Sequence, residues 1–376
     1  MKIAHISDAH LGRQQYHLPE REEDYYRQLE QALRAAKAAD AVVITGDLLD
    51  SRRPSTKTLL RLLELLEGRQ AYVIGGNHDW TYLRPDETPL RLLDKVKAVR
   101  LLCFDSADLG GVPLFGACAM PRSKAREYRE LLARAPPNAL LAIHQAIEGV
   151  KARYPASVDE YTMPASAFAG LKYLHIAAGH VHDHAVRHPV GAVWAGSLEL
   201  WDSAEFETWD WRGGRWEKAQ DAAPKGMVMI DVAGKAAVAT PIQLGTQRRM
   251  LRLRIYLSEP SELEQAVEDA VRRFDVQGAV VRVELWGELR PGSEPRPSAY
   301  EARFQRALYV DFVDRLRRPR EEAPRVGSAY EAVERLLRER LGPGAEAVVK
   351  ALAHIRDGDS ASARKIIERW MYAEGD

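Results

Sequence analysis

The sequence predicts a layered α/β domain, then a smaller α+β domain and a C-terminal helical segment. Three observations predict it. Short β-rich runs alternate with helical stretches through the first two-thirds of the chain, strand candidates crowd ahead of a single helix after Lys225, and apolar stripes at helical spacing occupy the last residues. At 376 residues the chain exceeds what one hydrophobic core organises, which favours two or three domains.

Taken in order, KIAHIS reads as a strand, Glu22 to Lys37 as a helix, AVVITG as a strand, Thr56 to Leu66 as a helix and AYVIGG as a strand. VPLFGACA, ALLAIH, LHIAAGH and AVWAGS supply further strands, so a sheet or a pair of sheets is covered by helices. The run from Trp211 to Trp216 contains Gly213-Gly214 and reads as a hairpin turn. MVMIDV, AAVATPI and MLRLRIYL precede a helix over Ser261 to Phe274, followed by VVRVELW, a short helix and YVDFV. The expected division is therefore a first domain over 1–222, a second over 225–318, a polar Pro-containing linker over 319–328 and a helical segment over 329–376.

Lys+Arg and Asp+Glu balance at 54 each, which excludes a global attraction to polyanions; any nucleic-acid surface must be local. The first residues lack the apolar run of a signal peptide or membrane helix, so a cytoplasmic protein without a membrane partner is expected. Cys103 and Cys118 read as small core residues in a reducing compartment.

Five motifs place Asp, His and Asn just after apolar runs: Asp8-Ala-His10, Gly46-Asp47, Gly76-Asn77-His78-Asp79, His144, and Gly179-His180-Val-His182. Loops beyond strand ends let such side chains converge, and glycine beside a ligand permits close backbone approach. Each motif alone is weak, because a lone Asp after a strand usually caps a turn. Jointly they point to two hard divalent ions held by carboxylate, amide and imidazole without thiolate. That donor set suits manganese first, with magnesium, iron and zinc as alternatives.

The order of these motifs resembles the calcineurin-type metallophosphoesterases, whose fold is a two-sheet sandwich with flanking helices. Within them, HISDAHLG, QYHLPEREEDY, GDLLDSRRPS, LLAIHQAIEGV and GSLELWD resemble the meiotic recombination eleven (SbcD-like) double-strand-break repair nucleases. The resemblance implies Asp8, His10, Asp47 and His182 on one metal and Asp47, Asn77, His144 and His180 on the other, with Asp47 bridging. It implies a manganese-dependent DNA exonuclease and single-strand endonuclease, in which residues 225–318 form a DNA-binding cap. It also implies a homodimer through helices near Pro54–Leu66 and Pro85–Leu93, and docking of 329–376 on the coiled-coil base of an SMC-like ATPase of SbcC type. His78 is the candidate for stabilising the transition state or protonating the leaving oxygen; a turn histidine bonded to Asp79 is the competing reading. Asp50 stands where archaeal members often carry a histidine linked to exonuclease action, and Ala195 replaces the proline usual before Gly-Ser.

Arg13, His17, Arg21, Arg52 and Arg53 flank the ligand loops and can contact DNA phosphates, with solvated surface as the competing reading. His5 and His175 lie inside strands and read as core, His184 and His188 as surface. Trp194, Trp201, Trp209, Trp211 and Trp216 read as a core seam rather than as a base-stacking platform. Two other functions compete with a nuclease: a phosphodiesterase for small or nucleotide substrates, and a DNA-end-binding scaffold with a vestigial metal site.

Overall fold

A strand that is buried at every position needs cover on both faces, and AVVIT is such a strand: Ala41–Thr45 is buried throughout between two parallel neighbours. The computed structural model describes residues 1–153, 162–288, 298–317, 329–341, 345–356 and 359–373. In the first sheet the strands run in the order Ala236–Leu244, Lys225–Ala233, Lys2–Ile6, Ala41–Thr45, Ala71–Ile74, Arg100–Leu101. The second sheet runs Val186–Arg187, Ala192–Trp194, Tyr173–Gly179, Ala139–His144, Pro113–Ala117, Asp105–Asp108.

Alternation along the strands builds the sandwich. Leu140, Ala142, Ala177 and Val193 turn one face of the second sheet into the same core as Ile3, Val43 and Val73 of the first. Leu141, Ile143, Ile176 and Trp194 turn the other face onto Tyr128, Leu132 and Phe168. The Pro19–Ala35 helix has Pro at its first position and Glu20 and Glu22 in its first turn, and it buries Tyr25, Tyr26, Leu29 and Leu33. It therefore begins three residues before the periodicity suggested. The Thr56–Leu66 helix is capped by Ser55, whose Oγ accepts from Thr58 N–H at 3.1 Å.

The third sheet corrects the expected domain boundary. Its order is Arg215–Gln220, Glu207–Arg212, Met250–Leu257, Val280–Glu288, Tyr309–Arg317, with the Ser261–Arg273 helix burying Leu263, Ala266, Val267 and Ala270. The hairpin 207–220 thus belongs with the later strands. Lys225–Ala233 instead pairs antiparallel with Lys2–Ile6 and carries Ala236–Leu244 at the edge of the first sheet. The chain changes sheet twice, so a cut between 222 and 225 would part the strands 207–220 from the sheet they complete, and all three sheets lie in one compact unit. The physical reason is that Val228, Ile230 and Met227 complete the first core, leaving residues 225–244 nothing to bury in the third sheet.

Cys103 and Cys118 lie side by side, their Cα atoms 5.1 Å apart, where the end of the first sheet's edge strand meets the second sheet; Cys118 is buried in the first core and Cys103 packs against it. A second compact unit contains the helices Ala329–Leu341, Ala345–Arg356 and Ser360–Ala373, and among the described residues their buried side chains are small: Ala345, Ala351 and Ala363. The linker expected at 319–328 lies outside the described residues. Among the described residues no helix is long and apolar enough to cross a membrane.

Candidate metal centre

The loops after the first two parallel strands continue their pairing as backbone. Asp8 N–H donates to the Gly46 carbonyl at 3.2 Å, His10 N–H to Asp47 O at 2.9 Å and Leu11 N–H to Leu48 O at 3.0 Å. Asp8 and Asp47 are thereby brought together, both buried. The second sheet delivers its contribution in register, with Gly179 directly beside His144 in the parallel pair. Asp8, His10, Asp47 and His180 all take left-handed backbone conformations, with φ of 49°, 45°, 48° and 85°. Four such residues in one pocket mark a geometry that its surroundings enforce against local preference. Glycine is required beside them: a Cβ at Gly76 would overlap the Asp47 carboxylate, and one at Gly46 would overlap the His144 ring.

The side chains meet as a continuous set of donor atoms. Asp47 Oδ2 lies 3.3 Å from His144 Nε2 and 3.9 Å from His10 Nε2. Asn77 Oδ1 lies 3.1 Å from His144 Nε2 and 3.3 Å from His180 Nδ1. His182 Nε2 lies 3.7 Å from Asp8 Oδ1 and 3.4 Å from His10 Nε2. Asp8, His10 and His182 can share one ion, and Asp8, Asp47 and His144 likewise. His144 donates Nδ1–H to the Thr45 carbonyl at 2.7 Å, which fixes its tautomer and turns Nε2 towards the carboxylates. Oxygen and imidazole donors without a thiolate fit hard or borderline divalent ions.

The charges are strongly coupled. Burial opposes ionisation of Asp47, but His144, with His10 and His78, outweighs it and holds the carboxyl far below the usual range. Burial likewise opposes protonation of His144, yet Asp47 lifts its pKa to about 10. His182 is pushed well down, first by burial and then by His10 and Lys225. A cation held between the two would take the place of the extra proton on His144.

His78 is not the turn histidine bonded to Asp79. Its backbone N–H donates to Asp47 Oδ1 at 2.9 Å, and its ring donates Nδ1–H to the Asp50 carbonyl at 3.2 Å, leaving Nε2 as the free nitrogen. Asp79 instead accepts from the backbone of Leu49 at 3.1 Å and of Gly76 at 2.9 Å, pinning the second ligand loop to the third. His10, Asp47 and His78 also form a possible ligand group, so His78 stands at the rim of the donor set. Asp50 lies 3.3 Å from His10 Nδ1 and 3.5 Å from Arg13 Nη1.

The remaining expectations divide. Arg13 is half-buried and stacks over the Trp201 indole at 3.4 Å, while His17, Arg52 and Arg53 are exposed. Arg21 is excluded from DNA contact: it is wholly buried and bonded to Asp24 at 2.7 Å and Glu199 at 3.0 Å. Trp194, Trp211 and Trp216 are core, whereas Trp201 stands in the site, its ring 4.1 Å from His10, 4.9 Å from His182 and 5.6 Å from His78. The tryptophan was legible only through its place in a loop rather than a strand. Also missed were Lys225 and Glu205. Buried Lys225 donates from Nζ to the His182 carbonyl at 3.2 Å, Ser197 Oγ at 2.7 Å and Glu205 Oε1 at 2.7 Å; Glu205 Oε2 accepts from Trp201 N–H at 2.6 Å.

Residues 1–184 match the calcineurin-like phosphoesterase family. The chain is 28% identical over 313 residues to the DNA double-strand break repair protein Mre11 of Haloferax volcanii, a match that covers 80% of this chain and 64% of that protein. The namesake of Sulfurisphaera tokodaii is 27% identical over 66% of this chain and 64% of its own length, and that of Sulfolobus acidocaldarius 25% identical over 73% and 70%. The chain therefore matches less than two-thirds of the length of the first two relatives. The part of the chain that assembles the donor set, residues 1–184, thus matches the calcineurin-like phosphoesterase family, and the chain is similar to archaeal Mre11 proteins.

Proposed function

We propose that the chain is a two-metal phosphodiesterase acting on DNA, a manganese-dependent exonuclease and single-strand endonuclease in the processing of double-strand breaks. The observation that carries the reading is the placement of Asp47 between His10 and His144, with Asp8, Asn77, His180 and His182 completing the ring of donors. Asp8, His10, Asp47 and His182 would hold one ion and Asp47, Asn77, His144 and His180 the other. Bound divalent ions supply the charge that activates water and neutralises the phosphoryl oxygens. Asp47 presents one carboxylate to both positions, and His78, when protonated, offers Nε2–H to the leaving oxygen. Asp50 orients His10 and Arg13 together, and its place in the reading is tuning of exonuclease action.

The third sheet, with residues 225–244 reassigned to the first, is the cap that grips DNA in this reading. Arg13, His17, Arg52 and Arg53 supply its phosphate contacts. Leu60, Leu92 and Val96, each at least half exposed on the helices at 56–66 and 89–95 or just beyond, offer a surface for a homodimer. Val333, Leu336, Leu341 and Ile355 are exposed apolar residues on the C-terminal helices, a surface for a coiled-coil ATPase. In this reading the protein works on the nucleoid.

The experiment is incubation of the manganese-loaded protein with linear double-stranded and single-stranded DNA. Metal-dependent cutting supports the nuclease reading. Binding without cutting makes the chain an end-binding scaffold, and turnover of small diesters alone makes it a small-substrate phosphodiesterase.

A further inference from the structure

The sequence has two cysteines, and the fold brings them together. Cys103 follows the edge strand Arg100–Leu101 of the first sheet, and Cys118 follows Pro113–Ala117 of the second. Their Cα atoms are 5.1 Å apart, inside the span of about 4.4–6.8 Å that a disulfide bridges. The backbone on both sides of Cys103 is pinned. Leu102 N–H donates to the Val73 carbonyl at 2.8 Å and Phe104 N–H to the Gly116 carbonyl at 2.7 Å, with Phe104 in a left-handed turn at φ 55°. Gly116 lets this turn approach, because a Cβ there would run into the Leu102 carbonyl. The two sheets, not a loose loop, thus hold the cysteines side by side.

The two thiols differ in access and in what they hold. Cys118 is wholly buried, whereas Cys103 is partly exposed. Cys118 Sγ accepts the Gly75 N–H at 3.1 Å and donates to the Leu102 carbonyl at 3.7 Å. The next residue, Ala119, donates its N–H to the Gly75 carbonyl at 2.8 Å. Gly75 stands two residues before Asn77, and Gly76 between them lies so close to Asp47 that a Cβ would overlap its carboxylate. The peptide that leads to one donor of the metal centre, and packs on another, therefore hangs on the Cys118 sulfur.

We propose that Cys103 and Cys118 are a reversible thiol–disulfide couple that sets the manganese affinity of the centre through Gly75, with small-molecule disulfides and thiols as its co-reactants. The Cys103 thiolate attacks one sulfur of the small disulfide, forming a mixed disulfide and expelling one thiolate. The Cys118 thiolate then attacks the Cys103 sulfur, and the second small thiolate leaves. Each cysteine's proton passes to a departing thiolate, so two protein thiols are oxidised and one small disulfide is reduced to two thiols. The new bond removes the Cys118 S–H from the Leu102 carbonyl and draws the sulfur from the Gly75 N–H, which loosens the loop carrying Asn77. The oxidised chain then holds manganese more weakly. This metal consequence rests on the two-metal reading; the thiol chemistry does not.

The test uses the full chain treated with dithiothreitol or with oxidised glutathione. Thiol titration of the denatured protein should find both cysteines free after the first treatment and neither after the second, and the oxidised chain should lose the mass of two hydrogens. Cys118→Ser should instead keep glutathione attached at Cys103, and Cys103→Ser should stay unmodified because its remaining thiol is buried. Free manganese read by electron paramagnetic resonance should show roughly ten-fold weaker binding by the oxidised chain, the size of effect that loss of an outer partner has on a metal site. Dithiothreitol should restore the affinity, and Cys103→Ser should bind as tightly as the reduced wild type after either treatment. Free thiols that survive oxidised glutathione, or equal manganese affinity in the two states, overturn the proposal. If neither state binds manganese, the two-metal reading fails and takes the coupling with it, while the thiol count still decides whether the pair is a redox couple.

Discussion

Lys225 and Glu205 form a fully buried ion pair at 2.7 Å, and each partner reaches past the other to a different part of the metal centre. Lys225 holds the carbonyl of His182, and Glu205 holds the backbone N–H of Trp201. Lys225→Met strands a buried carboxylate and should cost about 3–5 kcal/mol in urea unfolding. The double variant Lys225→Met/Glu205→Leu should regain much of that stability. Manganese affinity should stay roughly 10–100-fold weaker in both, because the loop carrying His182 has lost its anchor. Wild-type affinity in the stable double variant would show that the pair serves folding alone.

Asp47→Ala and His180→Ala should each abolish metal-dependent phosphodiesterase activity while the protein stays folded. Asp47 faces both proposed ion positions, so metal analysis should find both ions gone from Asp47→Ala. Turnover at the wild-type rate in either variant refutes the two-metal assignment.

His78→Ala should retain both ions and lose roughly 10²–10³ in single-turnover rate, the cost of removing a transition-state donor. Loss of an ion from this variant would instead make His78 a ligand, which its position 4.8 Å from the His10 ring also permits.

Two buried histidines away from the metal centre set an acid limit. Burial, then His175, pushes His5 down to about 3, and burial, then Arg187, pushes His175 down to about 4. Below the unfolded value near 6.5 the unfolded chain takes up protons that the folded chain refuses, so stability falls as pH drops from 6.5 towards 4. Each histidine contributes on the order of 3 kcal/mol to that loss. Urea melts between pH 7.5 and pH 4.5 should show a shallower slope for His5→Gln/His175→Leu than for wild type. Parallel curves refute the assignment.

Deleting residues 324–376 should spare manganese-dependent cutting of single-stranded DNA and remove binding of the coiled-coil ATPase. Copurification of the truncated chain with that ATPase at full affinity would place the docking surface elsewhere.

The donor residues were legible because each follows an apolar run, and parallel strands deliver such positions to one edge. Arg21 was not: EREED has the look of a solvated helix face, and its partner Glu199 lies 178 residues away. Lys225 and Glu205 were hidden for the same reason, since an isolated charge in sequence carries no sign of burial. Trp201 was grouped with neighbours that are true core residues, although it alone of those near it stands beyond a strand end. The exchange of strands between sheets was invisible because the pairing of Ala4 with Met229 spans most of the chain.

That exchange has a consequence for synthesis. The first strand, Lys2–Ile6, leaves the ribosome with one edge open, and the strand that covers this edge, Lys225–Ala233, is made more than two hundred residues later. Until then the nascent chain holds a bare strand edge next to an incomplete core, the kind of surface on which neighbouring chains pair wrongly. A ribosome stalled between residues 182 and 225 therefore holds a fragment that contains every proposed metal ligand yet cannot close the sheet that carries four of them.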